Sequence, residues 1–186
     1  MILELKNGSE KAFQELVETY KNKVINTCYG FVHNYEDAND IAQEVFVEVF
    51  RSVNSFNEDS TLSTWIYRIA TNKALDFLRK SRRQKRWSEL TRISFSNNSE
   101  IQDIVPDSKD PNTVYEEKER RAILNMAIDK LADNQKAAFT LHKNEDLSYK
   151  EIAAVLKTSV SSVESLMHRA KKNLQKHLYS YYKNNL

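Results

Sequence analysis

Residues 56–86, FNEDSTLSTWIYRIATNKALDFLRKSRRQKR, hold the side chains best suited to chemistry with a polyanion. Arg79, Lys80, Arg82, Arg83, Lys85 and Arg86 crowd the end of this segment, and after Asp59 its only acid is Asp76, so it projects a strong local positive field. Ahead of the basic run, Trp65 and Tyr67 sit among hydroxyls and bases. An aromatic in that company can stack on an unpaired nucleotide, whose π face is worth ~1 to 3 kcal/mol. Spacing alone also fits an ordinary core tryptophan at position 65, which is the commoner outcome.

Other chemistries find little support. The four histidines, His33, His142, His168 and His177, have no metal-ligand spacing, and there is no nucleophile elbow, glycine-rich phosphate loop or HExxH. No catalytic residue, metal or cofactor is expected. Cys28 is the only cysteine, so no internal disulfide can form, and its apolar neighbours Val24, Ile25, Phe31 and Val32 suit a buried, inert thiol. No hydrophobic run approaches the ~20 residues that span a bilayer and the N-terminus lacks an apolar signal core, so a cytoplasmic chain without membrane insertion is expected.

The 186 residues carry 28 Lys plus Arg against 26 Asp plus Glu, a formal net charge of +2, but the charge is segregated. Residues 36–50 contain Glu36, Asp37, Asp40, Glu44 and Glu48 with no base, whereas residues 169–183 are basic with no acid. One acidic and two basic faces suit separate contacts with a protein and a nucleic acid.

The elements that position these faces are helices. Only two Gly and two Pro occur, far below ordinary usage, and 40% of the residues are apolar, enough for real cores. The fold class is therefore all α. Both prolines fall within residues 88–112, a tract rich in Ser, Asn and Asp without sustained periodicity, which reads as a flexible linker. The expected organisation is two small helical domains, residues 1–88 and 116–186, joined by a linker at 89–115.

In the first domain, helical spacing of Phe13, Leu16, Val17, Tyr20, Val24 and Cys28 predicts a helix over about 9–32. A second, over 36–51, buries Ile41, Ala42, Val45, Phe46 and Val49 and turns Asp40, Gln43, Glu44, Val47 and Arg51 outward. A polar loop, 52–61, then delivers a helix over about 62–80 that Ser60 or Thr61 can cap. Its core face is Ile66, Ile69, Ala70, Ala74, Phe77 and Leu78, with Thr64, Arg68, Thr71, Asn72 and Arg79 opposite.

In the second domain, SYKE at 148–151 is a capping box that starts a helix packed through Ile152, Ala153, Val155 and Leu156. Lys157, Thr158 and Ser159 form a short turn. A second helix over about 160–178 puts Val163, Leu166, Met167, Ala170 and Leu174 inward and Ser161, Ser165, His168 and Lys172 outward. Two helices joined by a tight turn, the second polar and basic outside, match a helix-turn-helix reader, although a structural helical hairpin has the same periodicity.

Three stretches together, DANDIAQEVFVEVF (37–50), FNEDSTLSTWIYRIATNKALDFLRK (56–80) and LSYKEIAAVLKTSVSSVESLMHRAKKNL (147–174), resemble the extracytoplasmic-function (ECF) group of bacterial sigma factors, in the family's order. The resemblance implies a dissociable subunit of RNA polymerase, not an enzyme by itself, that directs promoter recognition and opens the −10 element. Its implied partners are core RNA polymerase, promoter DNA and, as is common in the family, an anti-sigma factor.

Residue by residue, the resemblance assigns Asp40, Gln43, Glu44 and Val47 to the polymerase contact. The loop 55–63 and the helix after it align with the −10 segment, with Phe56, Asn57, Ser60, Thr64, Trp65, Arg68, Asn72, Lys73 and Arg79 as candidates. The second domain aligns with the reader of the −35 element, with Ser159, Ser161, Ser162, Ser165, His168, Arg169, Lys171 and Lys172. Family members often place a base where this chain has Glu164 and Leu166. A helix-turn-helix repressor or activator is the main rival, but it leaves the acidic face and the loop before Trp65 unused.

Overall fold

With so few glycines and prolines, the helices are ended by side-chain caps and by non-glycine residues in the left-handed region. The computed structural model describes residues 1–91 and 111–185. A short α1 (Ile2–Lys6) precedes α2 (Glu10–Val32), whose free Ala12 amide donates to Ser9 Oγ at 3.3 Å. α3 (Tyr35–Ser52) is capped by Asn34, which accepts from the Asp37 amide at 3.0 Å. A 3₁₀ turn (Val53–Ser55) and the loop after it lead to α4 (Leu62–Thr91), and Thr61 Oγ1 accepts from the Thr64 amide at 3.2 Å. α5 (Pro111–Asp129), α6 (Asp133–Glu145), α7 (Tyr149–Leu156) and α8 (Val160–Asn185) complete the chain. His33, Asp146 and Lys157 end α2, α6 and α7 with φ of 56°, 51° and 51°.

The expected all-α architecture is observed among the described residues. α2, α3 and α4 pack around Leu16, Val24, Phe31, Val45, Val49, Ile66, Ala70 and Ala74, all essentially without solvent contact. In the second unit Leu141, Ile152, Val155, Val163 and Met167 form one cluster, and Ala127, Ile128, Leu131, Ala170 and Leu174 form another beneath α5.

Two features depart from the sequence expectation. α4 runs 30 residues, about 45 Å, past the expected end at Lys80, and α5 begins at Pro111, so both helices enter the stretch read as linker. Residues 92–110 of that stretch lie outside the described residues. The two units also dock directly, α2 against α6 and α4 against α7. Ala137 of α6 belongs to the first core, and Tyr67 of α4 to the second.

Candidate nucleic-acid and protein interfaces

The acidic face of α3 forms because its apolar residues recur at helical spacing: Ala38, Ile41, Ala42, Val45 and Val49 are buried, leaving Asp40, Gln43, Glu44 and Val47 exposed. Val47 is 48% exposed and Phe50, one turn on, 56% exposed. The Phe50 ring meets Phe13 edge-on at 5.2 Å. Phe50 escaped the sequence reading, and its signal was the three-residue step from Val47. The acids crowd one another: burial, then Asp40 and Glu36, push the Asp37 carboxyl above its ordinary value. Lys73, assigned from the resemblance to DNA, instead points to this side, 3.3 Å from Glu48 and 3.9 Å from Glu44. Its charge is drawn to the nearest carboxylates, across the α3–α4 contact.

On α4 and its preceding loop, the candidates divide. Asn57 and Asn72 are exposed and Ser60 is half-buried. Phe56 is only 3% exposed, tilted against Trp65 at 5.1 Å between centroids, and Trp65 is itself half-buried against the first core. Thr64 is 8% exposed, and its hydroxyl lies 2.8 Å from Thr61 Oγ1. Phe56 and Thr64 are therefore structural: one supports Trp65 from below and the other braces the helix cap. Thr71, expected on the outer side, is also buried, because α7 covers that side of α4. Glu58 holds the loop at φ 61°, an uncommon conformation for a residue with a side chain.

The basic residues of α4 are exposed from Arg79 to Arg86, yet several have partners on the second unit. Arg68 donates through Nη2 to Ala154 O at 2.7 Å and through Nε to Val155 O at 3.3 Å. Arg79 Nε and Arg82 Nη1 donate to the two oxygens of Asp133, at 2.8 and 3.0 Å. Burial pushes the Asp133 carboxyl up, but the two arginines outweigh it and hold it below the usual carboxylate range. Between the units lies a cleft of about 300 Å³ lined by Arg68, Asn72, Arg79, Lys157 and Leu166 among others.

The helix-turn-helix forms as the spacing predicts. Ser148 and Glu151 make both bonds of the capping box, and the Thr158 amide closes α7 on Ala153 O at 2.9 Å. Val163, Met167, Ala170 and Leu174 face inward, while Ser161, Ser165, His168, Arg169, Lys171 and Lys172 are exposed on the outer side of α8 with Glu164. Ser159 Oγ accepts from the Ser162 amide at 3.1 Å and lies 2.8 Å from the Ser162 hydroxyl and 3.0 Å from that of Ser161, so this exposed serine also caps the start of α8.

Residues 16–84 match the family model Sigma-70 region 2, and residues 121–174 match Sigma-70, region 4. The chain is 32% identical over 181 residues to the RNA polymerase sigma-H factor of Pseudomonas aeruginosa, covering 96% of this chain and 92% of that protein. It is 31% identical to the ECF RNA polymerase sigma factor SigW of Bacillus subtilis (95% and 94% covered) and 32% identical to the ECF sigma-E factor of Escherichia coli K12 (92% and 88%). The chain belongs to the ECF group of RNA polymerase sigma factors. CnrH, solved with the cytosolic domain of CnrY, shares the fold of this sigma factor with a TM-score of 0.65 at 23% identity, over 96% of this chain and 95% of that one. RpoE of Bartonella quintana, solved with the anti-sigma factor NepR, does so with a TM-score of 0.64 at 21% identity, over 91% and 98%.

As a sigma factor, the chain carries its region 2 on α2–α4 and its region 4 on α5–α8. Among the described residues no cluster of His, Cys, Asp and Glu has the geometry to hold a metal, and no helix is long and apolar enough to cross a membrane. Cys28 lies fully buried in region 2, where burial pushes its thiol up to about 12.

Proposed function

We propose that this sigma factor docks on core RNA polymerase through the α3 face of Asp40, Gln43, Glu44 and Val47, extended by Phe50. Region 2 then engages the −10 element through Asn57, Ser60, Trp65, Arg68, Asn72 and the exposed bases from Arg79 to Arg86. Region 4 reads the −35 element through Ser161, Ser165 and His168, with Arg169, Lys171 and Lys172 on phosphates. The observation that carries this division is the placement of one acidic, partly apolar face on α3 apart from two basic faces on α4 and α8. A repressor would give the exposed Val47 and Phe50 no task.

Opening DNA without a nucleotide cofactor requires that capture of an unstacked base offset a few kcal/mol of unstacking. Trp65, propped by Phe56, supplies a rigid apolar surface at the foot of the loop, while Asn57 and Ser60 supply hydrogen-bonding groups. The chain acts in the cytoplasm as a non-catalytic subunit, and an anti-sigma partner, as in the complex of the Bartonella RpoE with NepR, regulates it.

The test is transcription by the chain with core polymerase, from a promoter identified by sequencing transcripts after overexpression. Shortening the loop 55–63 should abolish transcription from duplex promoter, and a template premelted across −10 should restore much of it. Full transcription by the folded, loop-shortened chain on duplex DNA would refute the assignment.

A further inference from the structure

The end of α4 presents a tryptophan that neither the polymerase face nor the −10 loop uses. Trp87 lies just past residue 84, where the match to region 2 stops, and is 71% exposed. Lys80, Arg83 and Gln84 precede it within two turns, and the four side chains line one open recess of about 600 Å³. Residues 77–87 contain no acid. Asp76, the nearest carboxylate back along the helix, is paired with Arg79 at 3.1 Å, and Arg79 and Arg82 both reach Asp133. Lys80 and Arg83 have no ion-pair partner among the described residues, so their charge is left to the recess beside Trp87.

The helix itself does not require an aromatic there: alanine is the better helix former, and an indole left in water forgoes the burial of ~150 to 250 Å². An apolar ring rimmed by bases suits a nucleic-acid backbone, with the bases on phosphates and the ring on the sugars. At 1.5 Å rise and 3.6 residues per turn, Trp87 stands about six turns and about 33 Å from Trp65, rotated by only about 40° around the axis. The two tryptophans therefore share one side of α4 but differ in setting. Trp65 is half-buried against Phe56 at the foot of the loop, whereas the recess at Trp87 is open and has no walls to hold an extruded base. A ring outside any pocket meets DNA that is still paired. Region 4, the reader of −35, follows α4 in the chain, so the C-terminal end of α4 is the one that leads upstream, by roughly ten base pairs at ~3.4 Å per pair.

We propose that Trp87, Lys80 and Arg83 form a further DNA-binding site that holds the paired spacer upstream of the −10 element while the loop end of α4 opens the element. The indole packs on the deoxyribose edge and the two bases contact flanking phosphates, so the site anchors the duplex without reading its sequence. A held duplex gives the loop a fixed end against which to unstack a base. The inference rests on the proposed engagement of the −10 element by α4.

Trp87→Ala in the full chain tests it, because the side chain is exposed and alanine keeps the helix; circular dichroism checks the fold. Binding with core polymerase is compared on two templates of a promoter found by transcript sequencing. One is duplex through −35; the other is premelted across −10 and cut at the upstream edge of that element. The variant should bind the long template at least about fivefold more weakly than the wild type, and the cut template equally well. A benzophenone amino acid placed at position 87 should crosslink to spacer DNA. Equal binding of variant and wild type to the long template would overturn the site. An equal loss on both templates, or crosslinks to polymerase subunits alone, would also overturn it, since either places Trp87 away from the paired spacer. Should the wild type itself bind neither template with core polymerase, the promoter-reading assignment falls, and this inference with it.

Discussion

Reversing Asp40 and Glu44 to lysine tests the α3 face. Both side chains are exposed, and Glu44 stands 3.9 Å from Lys73 with 70% of its side chain in solvent, so the lost pair is worth at most ~0.5 kcal/mol. Glu48 remains at 3.3 Å to hold Lys73. Removing Asp40 also relieves the repulsion on Asp37, and lysine is the better helix former. Folding stability should therefore stay within ~0.5 kcal/mol of wild type, as for most surface changes. At a docked interface, by contrast, disrupting close charge pairs costs ~2 to 5 kcal/mol, so affinity for core polymerase should fall at least ~30-fold. Fluorescence anisotropy of the labelled chain titrated with core enzyme gives the affinity, and thermal melting on the same preparation gives the stability. Wild-type affinity in a variant that melts normally would refute the assignment of this face.

Three further outcomes are expected. Lys172→Ala should weaken duplex binding across sequences and flatten the dependence of log affinity on log salt by ~0.9, and an unchanged slope in a salt titration would remove Lys172 from the phosphate contacts. Lys136 has no solvent exposure and is paired with Asp129, with burial pushing its ammonium below the ordinary lysine range. Lys136→Met leaves only the half-exposed Asp129 carboxylate without its partner and should cost less in urea unfolding than Asp129→Asn, which strands the buried ammonium and should cost ~3 kcal/mol; equal losses would contradict this. The His33 imidazole is held below its ordinary value of 6.5 by burial first and then by Lys136, against the pull of Asp129. A folded value below the unfolded one means that its contribution to stability is present above pH ~6.5 and lost as pH falls through the folded value. NMR titration of the ring should give that low value, and His33→Asn, which tolerates the left-handed φ, should reduce the acid sensitivity of melting; a ring titrating at or above 6.5 would sink the argument.

The helices and caps were legible in the sequence because they depend on neighbours three or four residues away. Ser9, Thr61 and the Ser148–Glu151 box start their helices, and the outward row of Ser161, Ser165 and His168 follows from the period of Val163, Met167 and Ala170. The segregation of acid on α3 from base on α4 and α8 was equally readable, since charge needs no fold to be counted. Periodicity, however, assigns one buried stripe per helix and cannot say which outer residues a distant helix covers. Tertiary structure alone buried Thr71 under α7, turned Phe56 and Thr64 into supports, and drew Lys73 toward Glu48. Arg68 reads as a free base until α7, 86 residues on, presents carbonyls whose own helix can no longer satisfy them. Gly30 is likewise only a weak helix former in the sequence; the approach of α6 gives it a reason, because that contact leaves no room for a β-carbon.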